Sequence, residues 1–271
     1  MSVDNGYVAL RADGVSRVYG SRWAPFVAVK QLDFEVNSDS AIGIVGESGS
    51  GKSTLSRMLV GLESASSGEV TYNGANIAKF TQFRTGLLDF RCAVQFVAQD
   101  TSSSFDPRRT LLDAVATPLR VLRGRTGSEA MDQIAEVLRL LRLDPAHLKR
   151  YPNEVSGGQR QRFALARSLV VQPRILLCDE VVSALDVSVQ GAVLNMLKDY
   201  CEGNQVGLAF VSHGLPATAF VARELVVMRH GEIVERGETE QVLRDPQHPY
   251  TAELLDAYRG GRRAAVPGGA L

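Results

Sequence analysis

The 271-residue chain sets 30 Lys and Arg against 30 Asp and Glu, a formal net charge of zero, with 45 % hydrophobic and 22 % charged residues. That is the balance of an ordinary globular protein long enough to bury a sizeable core, and its neutrality weighs against a general nucleic-acid coat or a polybasic membrane binder. No run approaches the ~18 apolar residues that span a bilayer, and MSVDNGYVALRADG lacks the basic and apolar regions of a signal peptide, so a cytoplasmic chain that does not cross a membrane by itself is expected.

In chain order, strand-like apolar runs fall at 26–36, 41–45, 94–98, 174–178, 207–211 and 224–228, with helical segments at 52–61, 188–201 and 215–222. The runs AIGIV, RILLC and GLAFV are almost wholly apolar, as strands of a parallel sheet covered on both faces should be, and the alternation of strand and helix predicts an α/β protein. Between 106 and 150 only helical spacing is found, which predicts a helical subdomain inserted into the core. Met131, Ile134, Val137, Leu138 and Leu141 form one stripe there. Ser128 is the expected N-cap of that helix, and the preceding helix is expected to end near Gly124. Arg120, Arg123, Arg125, Arg139 and Arg142 read most simply as a solvated face, with a partner surface as the alternative. RHGEIVERG (229–237) reads as a hairpin and HPYTAELLDAY (248–258) as a short helix, with a Gly- and Arg-rich disordered tail from 259 to 271. Cys92, Cys178 and Cys201 are far apart and form no C-x-x-C pair, so they read as small core residues.

The run at 41–45 leads directly into Gly46-Glu47-Ser48-Gly49-Ser50-Gly51-Lys52-Ser53, a full G-x-x-x-x-G-K-[ST]. Glycines let such a loop fold into a nest of convergent N–H groups, and the helix that follows adds its positive end. Lys52 would reach the β- and γ-phosphates of a nucleoside triphosphate, the Ser53 hydroxyl would ligate Mg²⁺, and Thr54 offers a further hydroxyl.

Triphosphate hydrolysis also needs an acid near the metal and a group to orient water. The strand at 174–178 ends in Asp179-Glu180: Asp179 suits the metal, and Glu180 suits a general base. Ser156-Gly157-Gly158-Gln159 opens a second helix with a capping serine and exposed amides, a second phosphate clamp. One triphosphate does not need two such clamps from one chain, which suggests that the second serves a neighbour's nucleotide. His213 follows the strand at 207–211. A lone histidine is more often structural than catalytic, but the C-terminal end of a strand favours function.

Taken together, these segments resemble the ATP-binding subunit of an ABC transporter over nearly the whole chain. Gly46–Ser53 looks like the Walker A motif, Ile175–Asp179 like Walker B with Glu180 as catalytic glutamate, and Val155–Gln159 like the signature, with Val in place of the usual Leu. Gln99 matches the Q-loop glutamine, Ser183–Asp186 the D-loop, His213 the switch histidine, and Tyr19 the aromatic that stacks on adenine. The resemblance implies a P-loop NTPase fold of ABC ATPase type, with a mostly parallel sheet core, an antiparallel β region and the inserted helical subdomain. The domain would span 1–258, with a RecA-like core at about 1–98 and 166–240, the helical part at about 99–165 and a C-terminal segment at 241–258.

The resemblance also implies ATP and Mg²⁺ as ligands. Lys52, Gln99, Glu180 and His213 would be catalytic, and Ser53, Gln99 and Asp179 would lie at the metal. Gly46 to Thr54, Tyr19 and Gln99 would line the chain's own site, while Ser156, Gly157, Gly158, Gln159 and Asp186 would complete the partner's. Such subunits work as head-to-tail pairs, like or homologous, at the inner face of the membrane. They drive two transmembrane permease subunits, fed by an extracytoplasmic binding protein, with no nucleic acid involved.

Gln99–Arg108 (QDTSSSFDPR) and Asp245-Pro246 with His248–Thr251 are similar to the oligopeptide, dipeptide and nickel permease branch. One subunit type of that branch carries a cysteine cluster after the His-Pro-Tyr-Thr segment. None is expected here, because Cys201 is the last cysteine of the chain. Two departures stand out: Val181-Val182 replace the usual Pro-Thr after the glutamate, and Gly214 replaces the Asp after the histidine. A soluble ATPase of the same fold in a multi-protein enzyme such as carbon–phosphorus lyase is the alternative. A nucleic-acid-associated ABC protein is disfavoured by the single phosphate loop and the lack of sustained heptads.

Overall fold

The computed structural model describes residues 7–264 except Arg22, Phe83, Thr101, Ser102 and Ala184. Thr101 and Ser102 of the branch segment, Ala184 of the expected D-loop, and the tail beyond 264 lie outside the described residues.

Two sheets organise the chain. The first is antiparallel and joins β1 (Ala9–Ser21), β2 (Ala24–Asn37), β4 (Ser67–Tyr72) and β5 (Ala75–Asn76) in the order β2-β1-β4-β5. The second joins β3 (Ala41–Val45), β6 (Val94–Val97), β7 (Ile175–Asp179), β8 (Gly207–Val211), β9 (Glu224–Arg229) and β10 (Glu232–Glu238) in the order β10-β9-β3-β8-β7-β6. Within it β9, β3, β8, β7 and β6 run parallel and β10 pairs antiparallel with β9. The central strands β7 and β8 are buried at every position, because helices cover both faces and every alternate side chain meets apolar surface.

The helices follow from the same accounting. α1 (Lys52–Leu59) buries Leu55, Met58 and Leu59 between the sheets, against Leu10, Phe34, Ile42 and Ile44. On the other face α3 (Leu111–Pro118), α4 (Gly127–Leu140) and α5 (Gly157–Leu169) share a core of Leu111, Val115, Ile134, Leu138 and Phe163 that continues onto Leu176 and Cys178 of β7. α2 (Arg84–Ala93) precedes the edge strand β6 and α6 (Val187–Asn204) follows the central strand β7. α7 (Leu215–Val221) packs on β3 and β8, α8 (Thr239–Arg244) on β10 and β9, and α9 (Pro249–Ala264) joins the apolar cluster of Val45, Leu215 and Val227 through Tyr250 and Leu255.

Several sequence expectations change. β1 and β4 were not anticipated: a bulge at Gly14, with φ +57°, breaks the apolar alternation of β1, and β4 buries only Val70 and Thr71. Thr126, not Ser128, is the N-cap of α4, and the preceding helix ends at Gly124 as expected. Met131 leaves the predicted stripe and is exposed, whereas Ile134, Val137, Leu138 and Leu141 are buried. The arginines are not all a solvated face: Arg123 donates to the Val171 carbonyl at 2.8 Å and Arg125 to Gln133 Oε1 at 2.6 Å. α9 continues to Ala264, past the point where disorder was expected. All three cysteines are buried free thiols.

Candidate active site

In the order β3-β8-β7-β6, four neighbouring parallel strands end on one edge, and the loops after their carboxyl ends carry the predicted polar residues. The phosphate loop follows β3, Gln99 follows β6, Asp179 and Glu180 close β7, and His213 follows β8. Parallel pairing alone therefore converges residues spread over more than a hundred positions. Most of them line a cleft of ≈ 460 Å³ whose wall includes Tyr19, Ser48 to Thr54, Gln99, Glu180 and His213; Gly46, Glu47 and Asp179 stand behind that wall, Asp179 bonded to Ser53.

Loop closure depends on two glycines. Gly46 has φ +149°, and a Cβ there would lie 2.1 Å from the Met228 carbonyl oxygen; Gly51 has φ +103° and caps α1. Glycine is what lets the chain pass so close to β9 and then turn into the helix. The Lys52 ammonium lies inside the loop, with all three donors engaged: Gly46 O and Glu47 O at 2.7 Å each and Ser50 Oγ at 3.2 Å. Burial pulls the Lys52 pKa below the usual range, and the nearby charges of Glu180, Asp179 and Glu47 oppose that shift.

Ser53 Oγ donates to Asp179 Oδ1 at 3.1 Å. Burial raises the Asp179 pKa, and the Ser53 hydrogen bond works against it. A hydroxyl and a carboxylate together are hard oxygen donors of the kind Mg²⁺ prefers. The negative charges of Glu180 and Asp179, which act on Lys52, give this end of the cleft a charge reason to take a divalent cation. The donor set fits Mg²⁺.

Glu180 lines the same cleft. Its φ of +51° is a left-handed backbone, a strained conformation for a residue with a side chain. The conformation is held by Glu180 N–H donating to Val211 O at 2.9 Å and by Ser183 N–H and Oγ–H donating to Glu180 O at 3.1 and 2.8 Å. One carboxylate oxygen accepts from Gln99 Nε2 at 2.7 Å, and the other lies 3.3 Å from His213 Nδ1. Val181 and Val182, where the resemblance would have Pro-Thr, turn into the helical core and are fully buried. Gly214 donates its N–H to Ser212 Oγ and caps α7.

The predicted residues do not all meet. Ser156 Oγ accepts from Gln159 N–H and Gln159 Oε1 accepts from Ser156 N–H, a capping box that opens α5, yet Ser156 to Gln159 do not line this cleft. Asp186 is the backbone N-cap of α6 and also lies outside it. Sequence reasoning missed Phe26 and Ala28, which line the cleft from β2. It missed Arg17 too, whose guanidinium stacks 4.6 Å from the Tyr19 ring centroid. Phe26 is an exposed aromatic paired across the hairpin with Tyr19, a relation set by strand register and not by local sequence.

Comparison with known proteins adds the family. The ABC transporter family profile matches residues 29–183, more than half of the chain. The chain belongs to the ABC transporter family. It is 38 % identical over 231 residues to the oligopeptide transport ATP-binding protein OppF of Bacillus subtilis, covering 85 % of this chain and 75 % of OppF. It is 40 % identical over 230 residues to the glutathione import ATP-binding protein GsiA of Escherichia coli K12, covering 85 % of this chain. The chain spans only 37 % of the length of GsiA. Among solved structures, it superposes on the dimeric structure of MJ0796, a bacterial ABC transporter cassette, with a TM-score of 0.78 at 26 % identity, covering 85 % of this chain and 98 % of that one. A post-hydrolysis state of the MJ0796 cassette bound to ADP and Pi gives a TM-score of 0.77. Both the P-loop ABC ATPase fold and the peptide-branch resemblance agree with these relatives.

Proposed function

We propose that this ABC chain binds ATP and hydrolyses it, paired head to tail with a second like or homologous cassette, to power import of peptides or a similar small solute. The observation that carries this reading is the Glu180 carboxylate, held between Gln99 and His213 in the cleft lined by Lys52 and by Ser53 of the Ser53–Asp179 pair.

The nest at Ser48 to Thr54 would bind the phosphates through backbone N–H groups, with Lys52 exchanging loop carbonyls for phosphate oxygens. Tyr19 would stack on the base. Ser53 and Asp179, with Gln99 nearby in the cleft, would hold Mg²⁺, which supplies charge neutralisation at the phosphates. Glu180 would accept the proton of the attacking water as its oxygen bonds to the γ-phosphorus and the bond to ADP breaks, leaving ADP and phosphate. Gln99 and His213 would keep the carboxylate aimed.

The capping box at Ser156 to Gln159 supports pairing. It is a helix N-terminus suited to phosphate, exposed at Ser156 and Gly157, that its own cleft does not use. Asp186 would act at the same shared interface. Among the described residues no helix is long and apolar enough to cross a membrane, so two permease subunits would do the spanning and an extracytoplasmic binding protein would deliver the solute. The cassette would sit peripherally on the inner face.

Replacing Glu180 with Gln tests the chemistry. ATP binding is expected to persist while turnover falls by about 10²- to 10⁴-fold; a wild-type rate would move the base elsewhere. Purification from detergent-solubilised membranes tests the assembly, and recovery with soluble partners alone would overturn the importer reading.

A further inference from the structure

The phosphate loop is gripped from outside the cleft by the C-terminal part of the chain. Tyr250, the second residue of α9, is 2 % exposed and packs with Val45, Leu215, Val227 and Leu255. Its hydroxyl accepts a hydrogen bond from the Glu47 N–H at 2.9 Å, 203 positions earlier in the chain. The Arg229 guanidinium lies 4.5 Å from the centroid of its ring.

The start of α9 is itself pinned. The Glu235 carboxylate of β10 accepts from the Gln247 and His248 N–H groups at 2.8 and 3.0 Å, and His248 Nδ1 accepts from Tyr250 N–H at 3.1 Å. Beside it, the turn between β9 and β10 donates Gly231 N–H to Ser50 O at 3.0 Å.

The Glu47 N–H and the Gly46 carbonyl belong to one peptide unit. That unit is planar and trans, so its N–H and C=O point in opposite directions. The N–H end meets Tyr250, and the carbonyl end accepts from Lys52 Nζ at 2.7 Å. Fixing one end fixes the other.

We propose that Tyr250 is a positioning residue of the nucleotide site: its hydroxyl sets the Gly46–Glu47 peptide plane, and through that plane α9 sets where the Lys52 ammonium and the phosphate loop stand. The inference rests on the nucleotide reading above. It gives the segment after β10 a role in phosphate binding, although that segment contributes nothing to the lining of the cleft.

Tyr250→Phe removes the hydroxyl and keeps the ring. In the full chain it is expected to weaken both Mg-ATP and inorganic triphosphate by about 3- to 10-fold, the effect of one lost hydrogen bond, and to raise KM more than it lowers kcat. Wild-type affinity for both ligands in Tyr250→Phe would overturn the proposal. Hydrogen exchange at the Glu47 amide checks the same bond without a variant. Protection in the wild type that is lost in Tyr250→Phe supports the brace, and free exchange in the wild type overturns it. Failure of the wild type to bind ATP would sink the nucleotide reading instead, since the exchange measurement needs no ligand.

Discussion

The Gln99 side-chain amide donates to Glu180 at 2.7 Å, joining residues 81 positions apart that follow adjacent parallel strands. With His213 Nδ1 at 3.3 Å on the other oxygen, the carboxylate is held on two sides by groups from β6 and β8 while its backbone belongs to β7. A left-handed φ at Glu180 costs energy that a freely turning surface residue would shed, so the flanking bonds must over-determine it.

Gln99→Ala and His213→Ala each remove one of these restraints. Each is expected to cut ATP turnover by about 10-fold or more while changing ATP affinity far less, because the aim of the base matters in the transition state and hardly in binding. Steady-state kcat beside a direct binding isotherm separates the two. The double variant should lose less than the product of the single losses, since both act through Glu180.

Arg17 stacks on the Tyr19 ring while pairing with Glu63 at 2.8 Å and donating to Ser64 O at 2.8 Å. It braces one face of the ring in the cleft wall. Arg17→Ala is expected to weaken ATP about 2- to 5-fold, the worth of a surface cation–π contact, and to leave inorganic triphosphate binding unchanged. Equal weakening of both ligands would separate Tyr19 from the base.

Glu235 gives a pH signature. Burial pushes its pKa up, but the neighbouring Thr251 side chain, together with the N–H groups of Gln247 and His248, outweighs that and holds it below the ordinary glutamate range. A depressed carboxylate contributes stability above its unfolded pKa of about 4.3 and loses it as pH falls toward the folded value. Thermal denaturation should therefore find wild type above Glu235→Gln in Tm at pH 7, with the gap closing below about pH 4.3. A gap that widened in acid would mean that the carboxylate does not hold these amides.

Much of the site could be read from the sequence because phosphate chemistry uses a local pattern. The glycine spacing of Gly46 to Ser53, the apolar strand before it and the acids after β7 each carry their own physical reason within a few residues. The apolar runs of β3, β7 and β8 announced a buried parallel sheet for the same reason. The elements that stayed hidden lack a local signal: β1 is broken by a bulge at Gly14, and β4 is mostly exposed. α4 begins at Gly127, two positions before the start that Ser128 implied, and its N-cap Thr126 makes no side-chain hydrogen bond, so no capping side chain marks this helix end in the sequence.

The sequence by itself determined that this protein carries a glycine-rich loop ending in Lys52 and Ser53, paired acids at Asp179 and Glu180, and polar residues at Gln99 and His213. It even implied a surplus clamp at Ser156 to Gln159. Only the tertiary structure decided which of them meet. The strand order β3-β8-β7-β6 gathers Lys52, Glu180, Gln99 and His213 at one edge and leaves the clamp on a separate helix end. It also brings Tyr250 to the back of the phosphate loop, a contact no periodicity could announce. Periodicity reports which face of an element is apolar, whereas a hydrogen bond across 203 residues is set by how those faces pack.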